Sequence, residues 1–376
     1  MAKPLIPFLM ATSGIIGAVM VVAVAFIVLS PQLGGKPTKN EVQAYVKSGH
    51  YNAQEGTFVN LLPTRMLTGR SMAGVVWKFL FHRTPDATPP GPLPLLPLDS
   101  LAITHKTPEM VRVTWFGHSA SLVELGGQNI LLDPMLSMEM GPVSWATPNR
   151  YNRRLAITPE KLPPIAAVLI SHDHYDHLDY ETIQKIKGKV GHFYVPLGVG
   201  PHLRRWGVAP ERIVEMNWGD SATLAGLTIR CTPSRHFSGR GLGNRNSTLW
   251  SSWVVQSATH RVFYTGDGGY GPHFAAIGAA YGPFDLAVVE CGQYDADWAE
   301  IHMRPEQSVQ AARDVRARVM LPVHWGAFTE ASHAWNDPIK RATAEAARLR
   351  QPIATPRLGE PVTLGQELPH ARWWEQ

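Results

Sequence analysis

The chain has 376 residues, more than one ordinary domain of roughly 100–200 residues needs, so we expect one large domain with additional segments. Hydrophobic residues make up 44% of the chain and charged residues only 17%, which excludes a disordered protein. Cys231 and Cys291 are too few for a disulfide-stapled scaffold and are not spaced as a zinc-finger pair. The formal net charge of +5 suggests an anionic partner, so its position along the chain matters.

The N-terminus carries a long apolar run. Residues 5–29 read LIPFLMATSGIIGAVMVVAVAFIVL and contain no charged residue. At about 1.5 Å per residue, such a helix crosses a hydrocarbon core of about 30 Å. A cleaved signal peptide is the alternative, but its apolar region would be about 7–15 residues long and would end at a small-residue cleavage site. We therefore predict that residues 1–30 form a single-pass transmembrane anchor, whose flanking charges do not decide its orientation.

The positive charge lies beside this run. Residues 1–83 carry a net charge of +6, and the other 293 residues carry −1. We predict that residues 31–83 form a basic juxtamembrane segment, either a solvated flank or a site of attraction for anionic lipid head groups. Residues 84–109 are predicted to be a proline-rich spacer, or a strap over the next domain, because their prolines exclude a helix between Thr84 and Leu98. With the charge so placed, nucleic acid is not an expected partner.

From Val111 the pattern becomes short apolar segments separated by turn residues, which is typical of strands. The Gly126–Gly127 turn between two of them predicts an antiparallel start. We predict strands at residues 111–116, 121–125, 129–132, 166–170, 192–195, 228–231, 249–256, 261–264, 286–290 and 319–322, and helices at 182–186, 200–206, 305–316 and 338–350. Strand blocks with interleaved helices, in two halves, predict an α+β domain over residues 110–370, with two packed sheets and helices outside.

The densest group of polar side chains is the segment SHDHYDHLD, residues 171–179, which directly follows an apolar strand. Three histidines and three aspartates within eight residues would be costly in a packed interior unless they were paired or bound to metal. On a loop at a strand end, His172, His174, Asp176 and His177 are expected to converge. Imidazole and carboxylate are suitable ligands for zinc, with iron or manganese as alternatives.

Other predicted strands end in further candidates for the same centre. His236 lies in TPSRHFSGRG, Asp267 in FYTGDGGY and His324 in MLPVHWGAF. Three or four protein ligands per ion leave a position for water, as a catalytic metal site needs. The predicted ligand sets are His172, His174 and His236 for one ion, and Asp176, His177 and His324 for the other, with Asp267 bridging them.

These motifs resemble those of the metallo-β-lactamase-fold hydrolases with the HxHxDH motif. Within that family the chain is most similar to the zinc-dependent N-acylphosphatidylethanolamine-hydrolysing phospholipase D branch. The segments that carry the resemblance are TWFGHSASLVE, ILLDP, SHDHYDHLD, RHFSGRG, NSTLWSSWVV, YTGDGGY, IHMRPEQS and LPVHWGAF, between about residues 110 and 330. The resemblance implies a four-layer αββα sandwich, two zinc ions per chain and phosphodiester hydrolysis. The chain departs from the branch at Glu290–Asp295 (ECGQYD) and in its N-terminal apolar run.

The resemblance also implies roles around the metals. Asp176 would orient the attacking water as well as bind metal, and His302 would protonate the leaving alcohol or bind phosphate, unless it is a capping histidine at the following helix. His118 and Glu290 are expected beside the ligands rather than among them. The candidates for substrate contact are Arg235 and Arg240, as partners of phosphate or of structural ion pairs, and Tyr175 and Tyr270, as walls of the site.

The sequence thus predicts a membrane-anchored binuclear zinc hydrolase that cleaves a phosphodiester, most readily a phospholipid of the N-acylphosphatidylethanolamine type. One alternative is a hydrolase of a small soluble ester or lactone, such as a sugar-phosphate lactone. An alternative of another class is a non-catalytic, membrane-tethered metal-binding module. The expected partners are the phospholipid substrate and the membrane, and a homodimer is a further expectation.

Overall fold

The computed structural model describes residues 5–81, 84–104, 106–241 and 243–375, without the side chains of residues 5–12, 23, 79, 80 and 146. The helices of four or more residues are α1 Leu5–Leu29, α2 Lys39–Val46, α3 Met72–Phe81, α4 Ser100–Thr104, α5 Tyr180–Ile186, α6 Gly200–Arg205, α7 His273–Tyr281, α8 Pro305–Asp314 and α9 Asp337–Leu349. The strands are β1 Tyr51–Asn52, β2 Thr57–Phe58, β3 Arg112–Trp115, β4 Ser121–Leu125, β5 Gln128–Leu132, β6 Ile165–Leu169, β7 Val190–Pro196, β8 Ile213–Met216, β9 Ser221–Leu224, β10 Leu227–Thr232, β11 Ser252–Gln256, β12 Arg261–Tyr264, β13 Phe284–Glu290, β14 Ala317–Val323 and β15 Pro361–Thr363.

Two mixed sheets form the centre of the molecule. The first has seven strands in the order β15-β3-β4-β5-β6-β7-β8, and the second has six in the order β14-β13-β12-β11-β10-β9. Each sheet is antiparallel on one side and parallel on the other, from β5 to β8 and from β12 to β14. Their facing side chains share one core, in which Trp115 and Leu132 of the first sheet lie with Trp253 and Phe263 of the second.

Helices cover the outer faces of both sheets. Ile183 of α5 and Leu203 of α6 belong to a second apolar cluster with Val168 of β6 and Val195 of β7. On the other side, α8 contacts β13 and β14, and α9 packs against α8. The order helix, sheet, sheet, helix confirms the predicted α+β αββα sandwich.

The predicted transmembrane segment coincides with helix α1. The side chains of residues 5–12 and 23 lie outside the described residues. No helix in the described part of the chain is both long enough and apolar enough to cross a bilayer. The membrane-spanning part of the prediction therefore has no support in the structure.

The described part of the segment 31–83 contacts the domain formed by the two sheets. Arg65 pairs with Glu300 at 3.0 Å, Arg70 with Asp297 at 2.7 Å, and Lys78 with Asp295 at 2.5 Å. Three of the predicted juxtamembrane cations are therefore partners of carboxylates that follow β13. Lys78 is mostly buried by its contacts, whereas Arg65 and Arg70 remain 72% and 56% exposed, in keeping with a solvated flank; attraction to lipid head groups stays a prediction.

The proline-rich segment 84–109 is a strap along the domain. Leu96 N donates to Leu358 O at 2.8 Å, and Leu98 N donates to Ala156 O at 2.8 Å. Leu93 is buried. The strap alternative is thus the one observed, and α4 lies between Pro97 and Pro108.

Several short elements were not predicted from the sequence. β9 has an alternating exposed and half-buried pattern without strong hydrophobicity, and β15 has three residues and begins with a proline. α7 (HFAAIGAAY) is rich in alanine and directly follows Gly271 and Pro272. Such elements depend on pairing or packing partners that local sequence does not reveal.

Candidate metal centre

The predicted ligands lie where strands of the two sheets end. Residues 172–177 follow β6, and His236 follows β10. Asp267 and His324 follow the neighbouring strands β12 and β14. Because β6, β12 and β14 each end at the same edge of the packed sheets, four separate loops deliver these side chains to one volume. The centre is therefore built on rigid strands, although its ligands lie on loops.

Three histidines form the first ligand set. His172 Nε2 lies 2.8 Å from His174 Nδ1, and His236 Nε2 lies 3.4 Å from the same His174 atom. All three offer ring nitrogens within 4.8 Å of one another, as ligands of one ion do. The set is the one predicted from the sequence.

The second set combines carboxylate and imidazole groups. His177 Nε2 lies 2.9 Å from Asp176 Oδ2. His324 and His118 have ring nitrogens within the same 4.8 Å group. His118 was expected beside the ligands, and its Nε2 lies 2.8 Å from Asp176 Oδ2, so it holds the carboxylate that the sequence assigned to the second ion.

Asp267 lies between the two sets. Its Oδ2 is 3.1 Å from His177 Nε2 and 3.3 Å from His324 Nε2, both in the second set. The same oxygen is 4.0 Å from His172 Nε2 and 4.0 Å from His236 Nε2, both in the first. A single carboxylate thus reaches both ligand sets, as the predicted bridging role requires.

Buried atoms of the centre that lack hydrogen bonds indicate whether a metal ion would fit among these residues. His177 Nε2, His324 Nε2 and Asp267 Oδ1 are buried and have no hydrogen-bond partner among the described residues. Buried polar atoms are normally hydrogen-bonded, so three atoms that face one volume without a hydrogen bond indicate a missing partner. A cation held by these atoms would supply that partner, and the donor set therefore fits a metal centre.

The opposite ring nitrogens of these histidines are held in place. His177 Nδ1 lies 2.6 Å from Asp133 Oδ2, and His324 Nδ1 lies 3.1 Å from Ser119 Oγ. His236 Nδ1 lies 2.9 Å from Ile301 O. Such partners select the tautomer and the ring orientation, which leaves Nε2 to face the metal.

Burial sets the charge of most of these imidazoles. It lowers the pKa of His172, His236 and His324 well below the usual value, and that of His174 to about 4. These rings are neutral near pH 7, which is the state in which imidazole binds metal. His177 differs: although burial alone lowers its pKa, the nearby carboxylates led by Asp176 raise it well above the usual value.

His302 and Glu290 lie together at the edge of the centre. His302 Nδ1 is 2.9 Å from Glu290 Oε2, and Met303 N donates to Glu290 Oε1 at 2.7 Å. The His302 ring is nearly parallel to that of His324, with centroids 5.2 Å apart. Burial raises the pKa of Glu290 well above its usual range and lowers the pKa of His302. His302 is therefore part of the site and is not a capping residue of the following helix.

Arg240 and Tyr175 were expected to contact substrate, and in the structure both make contacts within the protein. Arg240 is 3% exposed and donates through Nη1 to Asp173 O at 2.6 Å and to Leu178 O at 2.7 Å. The Tyr175 hydroxyl donates to Arg240 O, and the guanidinium lies over the Tyr175 ring. Arg240 thus braces the loop that carries the ligands, while its pairing with phosphate stays a prediction.

Arg235 and Tyr270 are also engaged elsewhere. Arg235 donates to Thr64 Oγ1 at 3.0 Å and forms an ion pair with Glu300 at 3.2 Å. The Tyr270 hydroxyl donates to Asp314. The structural alternative for Arg235 is therefore the one observed, and Tyr270 is held by α8 and not by a partner in the metal centre.

Sequence reasoning assigned no role to two residues that support the ligands. Asp133 is fully buried and receives hydrogen bonds from Ser171 N, at 2.7 Å, and from the Tyr264 hydroxyl, besides contacting His177. Asn60 donates through Nδ2 to His236 O at 2.7 Å, and its Oδ1 accepts from His236 N at 3.2 Å. Asp133 lies in the motif ILLDP, which could have marked it, whereas nothing in the sequence around Asn60 distinguishes it.

Replacing Asn60 by alanine is expected to weaken metal binding by roughly 10–100-fold, because the backbone of His236 loses both hydrogen bonds that hold it. A competition titration against a chromophoric chelator measures this change. Asn52→Ala is the matched control, since among the described residues the Asn52 side chain accepts only from Gln54 N and Glu55 N, in its own turn. Equal metal affinity in the two variants would show that Asn60 does not position the ligand.

Comparison with known proteins agrees with this geometry. The family model of the β-lactamase superfamily domain matches residues 128–325. An uncharacterized protein of Mycobacterium tuberculosis is 41% identical over 329 residues, which cover 86% of this chain and 87% of that protein. The N-acyl-phosphatidylethanolamine-hydrolyzing phospholipase D 1 of Caenorhabditis elegans is 35% identical over 227 residues, covering 57% of this chain and 64% of that enzyme. The solved structure of Igni18, a metallo hydrolase from Ignicoccus hospitalis, aligns with a TM-score of 0.51 at 24% identity, covering 69% of this chain and 100% of that one.

The chain belongs to the metallo-β-lactamase superfamily and is a metal-dependent hydrolase of that fold. It is related to the phospholipases D that hydrolyse N-acylphosphatidylethanolamine, as the sequence motifs indicated.

Proposed function

We propose that this protein is a binuclear zinc phosphodiesterase that cleaves phospholipids of the N-acylphosphatidylethanolamine type, releasing phosphatidic acid as a phospholipase D does. The observation that carries the proposal is the position of Asp267 Oδ2, within 4.0 Å of ring nitrogens from both ligand sets. That arrangement suits two ions that share one carboxylate. Zinc fits a donor set of imidazole and carboxylate groups, with iron and manganese as the alternatives.

Two bound ions would activate a water molecule near neutral pH and offset negative charge on the phosphoryl group. The chain's own residues would orient the reaction. Asp176, fixed by His118, would accept a hydrogen bond from the attacking water. His302, fixed by Glu290 at 2.9 Å, would carry the proton that the leaving alkoxide needs. Cleavage of the bond between phosphorus and the oxygen of the leaving alcohol gives phosphatidic acid and an N-acylethanolamine.

The lipid substrate is supported by the named activity of the Caenorhabditis elegans relative and by the order of the motifs along this chain. We also propose a membrane surface as the location of the enzyme, because the apolar run at residues 5–29 would confine it where such a substrate lies. Membrane association is separable from the chemistry, since the ligand sets are complete without residues 5–29.

Metal removal is expected to abolish hydrolysis of N-acylphosphatidylethanolamine, and two equivalents of Zn²⁺ per chain are expected to restore it. The experiment combines elemental analysis of the purified protein with mass spectrometry of the lipid products. Phosphatidic acid is the expected product. Diacylglycerol would place the cut on the other side of phosphorus, while hydrolysis of a sugar-phosphate lactone in preference to the lipid would favour a small soluble substrate. Undiminished activity after complete metal removal would overturn the proposal.

A further inference from the structure

A groove runs between the proline-rich strap and the segment that begins at Tyr151. Residues of the range 92–98 line one side and residues of the range 151–161 line the other, and the volume is about 540 Å³. Pockets that bind small molecules commonly have volumes of about 300–1,000 Å³. The described residues that line the groove include no member of the two ligand sets, so it is a separate place on the molecule.

The walls of this groove are apolar and fixed in position. Leu95, Leu98 and Leu155 are half-buried, because each packs against the apolar cluster outside the first sheet and also lines the groove. Asn152 holds the strap, since its Nδ2 donates to Leu93 O at 2.9 Å and its Oδ1 accepts from Leu93 N at 2.7 Å. An apolar ligand would therefore bind a surface that is already ordered, which lowers the entropic cost of binding.

The strap offers few backbone hydrogen-bond donors to a ligand. Three of the seven residues 92–98 are prolines, which have no N–H. The N–H groups of three others, those of Leu93, Leu96 and Leu98, donate to acceptors within the protein. A peptide that binds as an added strand needs such donors to pair with its own backbone, whereas an aliphatic chain needs only apolar side chains. The groove therefore suits an aliphatic chain better than a peptide.

Three cations lie along the side of the groove opposite the strap. Arg153, Arg154 and Lys161 line it, and all three residues are exposed. None of their side chains forms a hydrogen bond or an ion pair with another described residue. The neighbouring carboxylate of Glu160 pairs instead with Lys185, at 3.4 Å. The groove thus combines an apolar wall with positive charge that no carboxylate of the described chain offsets at close range, which favours an anionic group on the ligand.

We propose that this groove binds a lipid with an aliphatic chain and a phosphomonoester head group. The chain would lie against the three leucines of the walls, and the head group would pair with Arg153, Arg154 and Lys161. A phosphomonoester carries a charge of about −1.5 to −2 near pH 7, so three cations suit it better than they suit a singly charged carboxylate. Guanidinium groups also bind phosphate through two parallel hydrogen bonds. This site does not depend on the proposed function, although phosphatidic acid, the product proposed above, carries the same head group.

Photolabelling tests this site. The purified full chain, in a neutral detergent at constant concentration, is labelled with a dodecyl phosphate that carries a diazirine in its chain, and the labelled peptides are identified by mass spectrometry. Labelling is expected within residues 92–98 and 151–161, and unmodified dodecyl phosphate is expected to compete for it. Dodecanoate is expected to compete roughly 10-fold less well, because its head group makes fewer charge-assisted hydrogen bonds. Inorganic phosphate at the same concentration is expected not to compete, because it lacks the chain.

Paired variants separate recognition of the head group from general attraction. Arg153→Ala/Arg154→Ala is expected to weaken competition by dodecyl phosphate roughly 10-fold or more, because the head group loses its guanidinium partners. Arg318→Ala/Arg348→Ala removes the same charge from side chains that are 70% and 68% exposed on β14 and α9, and it is expected to leave competition unchanged. Equal competition in Arg153→Ala/Arg154→Ala and in the parent protein would overturn the inference. Labelling confined to residues 171–179 of the metal centre, or equal competition by dodecanol, would overturn it as well.

Discussion

Replacement of Asp267 by alanine is expected to abolish hydrolysis while the chain remains folded. Asp267 Oδ2 is the oxygen that lies within 4.0 Å of nitrogens in both ligand sets, so its loss separates the two sets. Metal ions contribute several kcal/mol to stabilising charge in a transition state, which corresponds to a loss on the order of 10³-fold or more in kcat/KM. The measurement is lipid hydrolysis together with the metal content per chain.

Two further variants make this result interpretable. Asp267→Asn keeps the volume of the side chain, and we expect it to be nearly as inactive, because the neutral amide is a poor bridge between two cations. His172→Ala removes a ligand of the first set alone and is expected to lose activity as well. Circular dichroism should show the same secondary structure in all three variants. Full activity in Asp267→Ala without bound metal would contradict the binuclear account.

Replacement of Asp133 by alanine is expected to lower the free energy of unfolding by about 3–5 kcal/mol, which is typical when one partner of a buried charged network is removed. Asp133 is 0% exposed, and its loss leaves Ser171 N, the Tyr264 hydroxyl and His177 Nδ1 without their acceptor. Its backbone φ of 36° adds to the effect, because alanine tolerates this region less well than aspartate. Urea unfolding of the metal-free protein measures the change apart from metal binding.

Two controls accompany the Asp133 variant. Asp133→Asn retains the backbone preference and one accepting oxygen, so we expect a smaller loss than for alanine. Glu367→Ala, at a side chain 87% exposed, is expected to change stability by less than about 0.5 kcal/mol. A loss at Asp133 no larger than at Glu367 would show that the network does not stabilise the fold.

The candidate ligands could be predicted from the sequence because each of them lies in a short, recognisable segment. SHDHYDHLD places four candidate ligands within six residues, and such a density of ionisable groups beside an apolar strand is costly unless a metal ion binds them. His236, Asp267 and His324 each stand at the end of a recognisable strand, and strand ends meet at a common edge of packed sheets. The periodicity of the strands also predicted the two sheets and their flanking helices.

The roles of the arginines could not be predicted in this way. Arg235 and Arg240 lie in a motif near the ligands, and an arginine near a predicted phosphodiesterase site suggests a phosphate partner. The structure instead brings residues 32 and 64 of the N-terminal segment against them, more than 170 positions away in sequence. A guanidinium group takes whichever acceptors surround it, and those acceptors come from distant parts of the chain.

The sequence by itself therefore determined the fold class and the candidate ligands, because strand periodicity and ligand spacing are local properties of short segments, and the resemblance of its motifs indicated the family. Only the tertiary structure decided that the basic N-terminal segment is part of the hydrolase, through Asn60 at His236 and the ion pairs at residues 295–300. It likewise brought Glu330 within 3.4 Å of His118, on a loop held by Gln293. These contacts join residues separated by 37 to 235 positions, and their energy depends on burial and geometry that exist only after the chain has folded.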